Sequence, residues 1–138
     1  MIVLLIGLCI SIMLFLLIQE GEQQKLDAID EEYPALAKDS AIMGIVSHYY
    51  AYTNSNPRGA LLISLADGKK FTATVNAYPK EVVINPDNIN HYALINFLQT
   101  GDSIYKPAGK DSLFVIKHGE KYSFDYASKE RIDSIMGR

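Results

Sequence analysis

Ser103 and three histidines are the side chains of this chain that could support nucleophilic catalysis. Ser103 ends the motif GDS at residues 101–103, and a serine nucleophile requires a base held beside it. The positions of His48, His91 and His118 give no cue to such a base. In small barrels, a glycine often supplies the bend before a strand, and an aspartate accepts hydrogen bonds from its own turn amides. We therefore predict a structural corner at residues 101–103 and no catalytic residue.

Metal-ligating and phosphate-binding patterns do not occur in the sequence. The histidines lack H-x-x-x-H spacing, and a single cysteine, Cys9, allows neither C-x-x-C nor an intramolecular disulfide. Asp87 and Asn88 resemble a fragment of a calcium loop, but the glycine and the bidentate glutamate of such a loop do not follow, so we predict an Asx turn. There is no glycine-rich phosphate loop. The sequence therefore predicts no metal and no cofactor.

Tyrosines at the end of the first predicted strand are the remaining candidate for a site. Tyr49, Tyr50 and Tyr52, with Arg58 in the following loop, border the usual binding face of an OB-type barrel, and Tyr105 could join them. Such a surface could stack on a sugar, a peptide or a base. The favoured interpretation is that alternate tyrosines fill the barrel and cover its edge; a ligand site made of these five residues is the alternative.

The elements that must position these residues are read from periodicity and turn signals. The stretch AIMGIVSHYYAY, beginning at Ala41, is rich in β-branched and aromatic residues and predicts a long strand, with a bulge or bend at Gly44. Two further strands are joined by the hairpin signal Asp67-Gly68. The stretch HYALINFLQ predicts a short helix capped by Asn90, and three more strands follow it.

A helix between the third and fourth strands is the connectivity of an OB-type barrel. The predicted fold class is mainly β, with an N-terminal transmembrane helix and a small OB-like barrel that has one short helix. An SH3-like barrel is the alternative, since it too uses short strands and tight hairpins. Alternate residues along each strand face inward. The predicted partly buried core is Ile45, Val46, Leu62, Ile63, Leu65, Phe71, Val75, Leu113, Val115 and Tyr122.

The N-terminal run of apolar residues predicts a membrane anchor. Residues 2–18 carry no charge and, at about 1.5 Å per residue, would span roughly 26 Å of a hydrocarbon core of about 30 Å. No basic residue precedes the run and no small-x-small site follows it, which argues against a cleaved signal peptide. Leu8 before Cys9 argues against lipidation. The positive-inside rule has almost nothing to count here, since Lys25 on the C-terminal side is the one nearby base. We predict a single-pass inner-membrane protein with its N-terminus inside and its domain in the periplasm.

Composition divides the chain into segments with different charge. The predicted segments are a transmembrane anchor (1–19), an acidic helical spacer (20–40), a small β-barrel domain (41–126) and a polar C-terminal tail (127–138). The spacer holds seven acidic and two basic residues, whereas residues 41–138 hold nine acidic and eleven basic ones. This small surplus of bases differs from the clustered basic surface of a nucleic-acid binder, so nucleic acid is a disfavoured partner.

Several short motifs run through the domain: L-x-D-G-x-x-F, L-x-x-G-D-S-I-x-K, D-S-L-x-V and K-Y-x-F. The residues that carry them, with a preceding G-x-V, are Gly44, Val46, Leu65, Asp67, Gly68, Phe71, Leu98, Gly101, Asp102, Ser103, Ile104, Lys106, Asp111, Ser112, Leu113, Val115, Lys121, Tyr122 and Phe124. This pattern resembles a family of small uncharacterised membrane-anchored proteins of Bacteroidota. The resemblance implies an N-terminal membrane segment or lipoprotein signal and no established activity.

The sequence as a whole predicts a membrane-anchored extracytoplasmic module that binds or scaffolds a protein of the cell envelope and is not an enzyme. The first alternative is a cell-envelope hydrolase that uses Ser103 or a His/Asp pair. The second is an oligonucleotide-binding OB-type domain with a basic groove around Arg58, Lys69 and Lys70. The ligand and the oligomeric state are left open.

Overall fold

The chain forms two compact units, which meet in the sequence between Glu32 and Tyr33. The computed structural model describes residues 2–52, 59–74, 77–80 and 93–138. Helix α1 (Ile2–Glu32) makes up the first unit. The helix ends two residues before Pro34, since a proline disfavours the helical conformation in the residue that precedes it.

The apolar half of α1 exposes its side chains in every direction. Each large apolar side chain from Leu5 to Ile18 is at least 51% exposed. The helix is long and apolar enough to cross a membrane over Leu5–Glu32. A helix that is apolar all round is typical of a membrane span, because in water it would leave this surface uncovered.

The second unit, Tyr33–Arg138, is built on one antiparallel sheet. In chain order its elements are β1 (Ile42–Tyr52), β2 (Ala60–Leu65), β3 (Lys70–Thr74), α2 (Leu94–Phe97), β4 (Ser103–Lys106), β5 (Ser112–Lys117), β6 (Glu120–Asp125) and α3 (Lys129–Met136). The spatial order of the six strands is β3-β2-β1-β4-β5-β6. The long strand β1 pairs with β4 through residues 42–45 and with β2 through residues 46–52.

The two edges of the sheet approach one another. Pro79, after β3, forms an isolated antiparallel bridge with Phe124 of β6, and the Lys80 amide donates to the carbonyl of Ser123 at 2.9 Å. Together with the helix between β3 and β4, this gives a small barrel-like sheet. The predicted mainly β fold class with an N-terminal helix is therefore confirmed.

The core lies on one face of this sheet, here called the inner face. Of the predicted core, Val46, Ile63, Leu65, Phe71, Leu113 and Val115 are buried in this cluster. Leu62 is also buried, but it lies on the other face of the sheet, where it pairs with Tyr50. Tyr122 is half-buried, and Val75 lies outside the described residues. Ile45, by contrast, is 52% exposed, so its prediction as a core residue was wrong. Since side chains alternate along a strand, Ile45 points to the outer face between the inward-facing residues 44 and 46.

The irregularity predicted at Gly44 lies three residues further along β1. The register against β2 shifts between Val46 and His48, so Ser47 is the extra residue of a bulge. Gly44 has a different role: a Cβ there would lie 2.9 Å from Cδ1 of Leu65, so the glycine permits close packing of β2. Because of the bulge, Val46 and Tyr49 both face inward although they are three residues apart.

Residues 33–40, here called the linker segment, begin the second unit and pack against its sheet. Tyr33 is buried, its carbonyl accepts from Oγ1 of Thr72 at 2.6 Å, and its ring meets that of Tyr50 edge-on at 5.9 Å. The Thr72 amide also donates to the carbonyl of Pro34 at 3.3 Å. The linker segment thereby covers the edge of β3 at Thr72, where an open edge would be a site for unwanted strand pairing.

The loop of residues 53–58, the turn at residues 87–88 and the predicted helix cap Asn90 lie outside the described residues. Helix α2 itself begins at Leu94, with Ala93 as its N-cap residue and no side-chain cap.

Candidate binding surface

The motif at residues 101–103 forms the corner that leads from α2 into β4. Gly101 has φ of 95°, a left-handed conformation that favours glycine. Oδ2 of Asp102 accepts a hydrogen bond from the Gln99 amide at 2.8 Å. The Gly101 amide donates to the carbonyl of Val46 at 2.8 Å, and the Val46 amide donates to the carbonyl of Asp102 at 2.9 Å. The geometry agrees with the predicted corner and ties it to β1.

Ser103 has none of the surroundings of a serine nucleophile within the described part of the chain. It stands in β4 between Ile45 of β1 and Ile116 of β5, and no described histidine or carboxylate forms a hydrogen bond with it. His118 occupies the β5–β6 turn, and His91 lies outside the described residues. The described residues also contain no group of three potential metal ligands.

The structure separates the tyrosines that the sequence groups together. Tyr49 faces the core, where its hydroxyl donates to the carbonyl of Leu98 at 2.6 Å. Tyr50 lies on the outer face and is 41% exposed, and Tyr52 follows it on the same face. Arg58 lies outside the described residues. The bulge in β1 fixes this division, because it sets which of two adjacent tyrosines turns inward.

Tyr105 lies on the other half of the outer face, opposite Met43 of β1 and Phe114 of β5. Its ring is stacked on that of Phe114, with 4.7 Å between centroids and 16° between planes. Such cross-strand aromatic pairs stabilise a sheet, and their stacked rings form an apolar surface on it. Of the predicted site residues, Tyr105 is the one that belongs to a larger apolar surface.

This surface, here called the outer patch, covers the outer face of β1, β4 and β5. It consists of Met43, Ile45, Tyr105, Phe114 and Ile116. Met43 is 73% exposed and Ile116 37%. A group of neighbouring exposed apolar side chains is a mark of an interaction site, whereas single ones are ordinary.

Lysines border the outer patch. Nζ of Lys121 lies 4.9 Å from the ring centroid of Phe114, and Lys121 makes no ion pair with any described residue. Lys69 borders a shallow depression of about 410 Å³ beside Met43 and Tyr105, and it pairs with Asp67 at 2.8 Å. An aromatic and aliphatic surface with cations at its rim suits a partner that offers apolar side chains among carboxylates.

A buried lysine lies on the inner face beneath this region. Lys106 is 1% exposed, and its Nζ donates to the carbonyls of Lys38 and Ser40, both at 2.8 Å. Burial lowers the pKa of Lys106, and the carboxylates of Asp111, Glu130 and Asp39 oppose this shift. An amine with a lowered pKa can act as a base or nucleophile, but this one is enclosed and bound to main-chain carbonyls. Its role is to hold the linker segment.

No family model, curated protein or solved structure matches this chain. The resemblance to small membrane-anchored proteins of Bacteroidota stays a prediction.

Proposed function

We propose that this protein is a single-pass membrane protein whose C-terminal domain is a binding or scaffold module without catalytic activity. The observation that carries the proposal is the outer patch, an exposed apolar surface on a rigid sheet. The partner we propose is a protein of the cell envelope, with the domain in the periplasm.

The exposed apolar half of α1 supports the anchoring. Burying the exposed part of eleven large apolar side chains, a little over half of each, would contribute about 1–2 kcal/mol apiece of favourable transfer free energy. The described residues of the second unit contain no helix long and apolar enough to provide a further span. We therefore propose a single crossing.

Two features favour binding of a protein over the alternatives. A hydrolase would need a base beside Ser103, and the neighbours of Ser103 in the sheet are Ile45 and Ile116. Binding of an oligonucleotide would need basic side chains that are available to its phosphates. Lys69, however, is paired with Asp67, and Nζ of Lys70 lies over the Tyr33 ring, 5.2 Å from its centroid. Protein interfaces, in contrast, are enriched in aromatic residues and methionine, both of which the outer patch presents.

Site-specific photocrosslinking in intact cells tests the binding surface. Benzoylphenylalanine replaces Met43 in the outer patch, and in the control it replaces Ile135 of α3, which is equally exposed at 75% against 73%. We expect adducts with protein from position 43 that diminish when Ile45→Asp is added, since binding would bury an unpaired charge within the outer patch. Equal adduct yields at both positions, or adducts with lipid alone at position 43, would contradict the proposal.

A protease test determines the orientation. A tag after Arg138 should be digested once the outer membrane is opened, while the inner membrane is intact. Protection until the inner membrane is broken would place the domain in the cytoplasm and overturn the periplasmic assignment.

A further inference from the structure

The acidic C-terminal part of α1 has the chemistry that the outer patch requires of a partner. We propose that the outer patch of one copy binds residues 20–32, here called the acidic segment, of a second copy of this chain. This inference rests on the proposed function, because it names the occupant of the same surface.

The charges of the two regions are complementary. The acidic segment holds six acidic residues and one base, Lys25, whereas residues 41–138 hold eleven bases and nine acids. Several of those nine acids are already paired with bases of their own unit: Asp67, Asp102, Asp125 and Asp133. Lys121 at the rim of the outer patch has no such pair among the described residues, so it is available to a carboxylate.

The apolar groups also match. Leu26 and Ile29 are three residues apart on α1, so they lie on one side of the helix among the acids. A helix packed on a sheet face is a common way to bury such a pair against aliphatic and aromatic side chains. Two outer patches placed face to face would bring two Lys121 side chains into one interface. Repulsion between these like charges favours binding of the outer patch to an acidic segment instead.

Helix length makes the acidic segment accessible. If residues 2–18 cross the hydrocarbon core, residues 19–32 continue as helix for about 21 Å beyond it. The acidic segment and the domain then lie on the same side of one membrane. Anchoring confines all copies to that membrane and raises their effective concentration, so a patch of five side chains can form a populated contact.

The experiment uses the purified full-length chain in vesicles of zwitterionic lipid, so that no other protein is present. Benzoylphenylalanine is placed at Met43, with position 135 as the control. We expect a dimer adduct that maps to residues 20–32 and falls about fivefold with Lys121→Glu, because a rim charge has been reversed. Adding Glu22→Lys and Asp27→Lys to that variant should restore the yield. High salt should lower the yield of the dimer adduct in the protein that keeps Lys121 and the acidic segment unchanged.

Monomeric adducts only, or dimer adducts that map outside residues 20–32, would overturn the second copy as occupant. A yield of dimer adduct that changes neither with Lys121→Glu nor with salt would also overturn it. These results are separable from the fate of the proposed function. If the vesicles give no dimer adduct while position 43 still captures another protein in cells, this inference fails and the binding function stands. Lipid adducts alone in both settings would overturn both.

Discussion

The hydroxyl of Tyr126 joins three segments of the second unit. It donates to the carbonyl of Thr72 in β3 at 3.0 Å and accepts from the amide of Leu36 in the linker segment at 2.9 Å. The side chain is fully buried. Burying an amide and a carbonyl without hydrogen-bond partners costs free energy. The Tyr126 hydroxyl avoids this cost and so stabilises the packing of the linker segment against the sheet edge.

Tyr126→Phe should therefore lower the free energy of unfolding by about 1–3 kcal/mol, because it leaves the Leu36 amide and the Thr72 carbonyl unsatisfied. Urea unfolding of the full chain in detergent, followed by near-UV circular dichroism, measures the change. Tyr105→Phe is the matched control, since that hydroxyl forms no hydrogen bond with described residues. Equal losses in the two variants would contradict the assigned role.

Stability should also fall at alkaline pH through Tyr126. Burial raises the pKa of its hydroxyl to about 12, whereas an unfolded tyrosine titrates near 10. The folded state keeps the proton that the unfolded state loses, so this contribution is fully present below about pH 10 and disappears as the pH rises to about 12. The loss is about 3 kcal/mol.

Urea titrations between pH 9 and pH 12 measure this loss. The lowered pKa of Lys106 acts with the opposite sign, because there the unfolded state holds the extra proton. Comparison with Tyr126→Phe removes the Lys106 effect, since both proteins keep that lysine. A decline with pH that is the same in both would contradict the prediction.

At the scale of elements, the linker segment depends on Lys106. Lys106→Met removes the donor to the carbonyls of Lys38 and Ser40, and we expect the segment to open about tenfold more often, which corresponds to about 1.4 kcal/mol. The rate of trypsin cleavage after Lys38 measures this opening. Lys110→Met, at an exposed lysine, is the control and should leave that rate unchanged. Equal rates in all three proteins would refute the role of Lys106.

Local signals in the sequence were sufficient to predict the order of the elements. The Asp67-Gly68 turn, the corner at Gly101 and the helix between β3 and β4 each carry their own turn or periodicity signal. The face of the sheet on which each side chain lies was harder to predict from the sequence. The bulge at Ser47 depends on how β1 pairs with β2, and this pairing decides that Tyr49 is inside and Tyr50 outside.

The outer patch could be predicted only in part, because its members come from three strands. Tyr105 was a candidate, but Met43 and Ile45 became its neighbours only through the pairing of β4 with the first half of β1. No local pattern reveals that register. The burial of Lys106 could not be predicted either. A lysine in a strand is expected at the surface, and the main-chain carbonyls that accept its hydrogen bonds come from the distant linker segment.

At the scale of the whole molecule, α1 should determine attachment to the membrane. Leu8→Lys combined with Leu14→Lys places two charges in the apolar run, and each should oppose insertion by about 2.5–3.5 kcal/mol. Extraction with alkaline carbonate should then release the variant but not the original protein. Leu26→Lys, in the charged part of the helix, is the control and should stay in the membrane fraction. Retention of the double variant would contradict the anchoring role.

The linker segment also decides how mechanical tension would enter the domain. A pull on α1 meets the contacts of residues 33 and 34 with Thr72 first, then the bond from Leu36 to Tyr126, and then the carbonyls held by Lys106. These contacts can break one after another while every strand of the sheet stays paired. Eight residues would be released, giving a tether of at most roughly 28 Å when fully extended. The second unit is therefore joined to α1 through an element that can extend while the sheet stays paired.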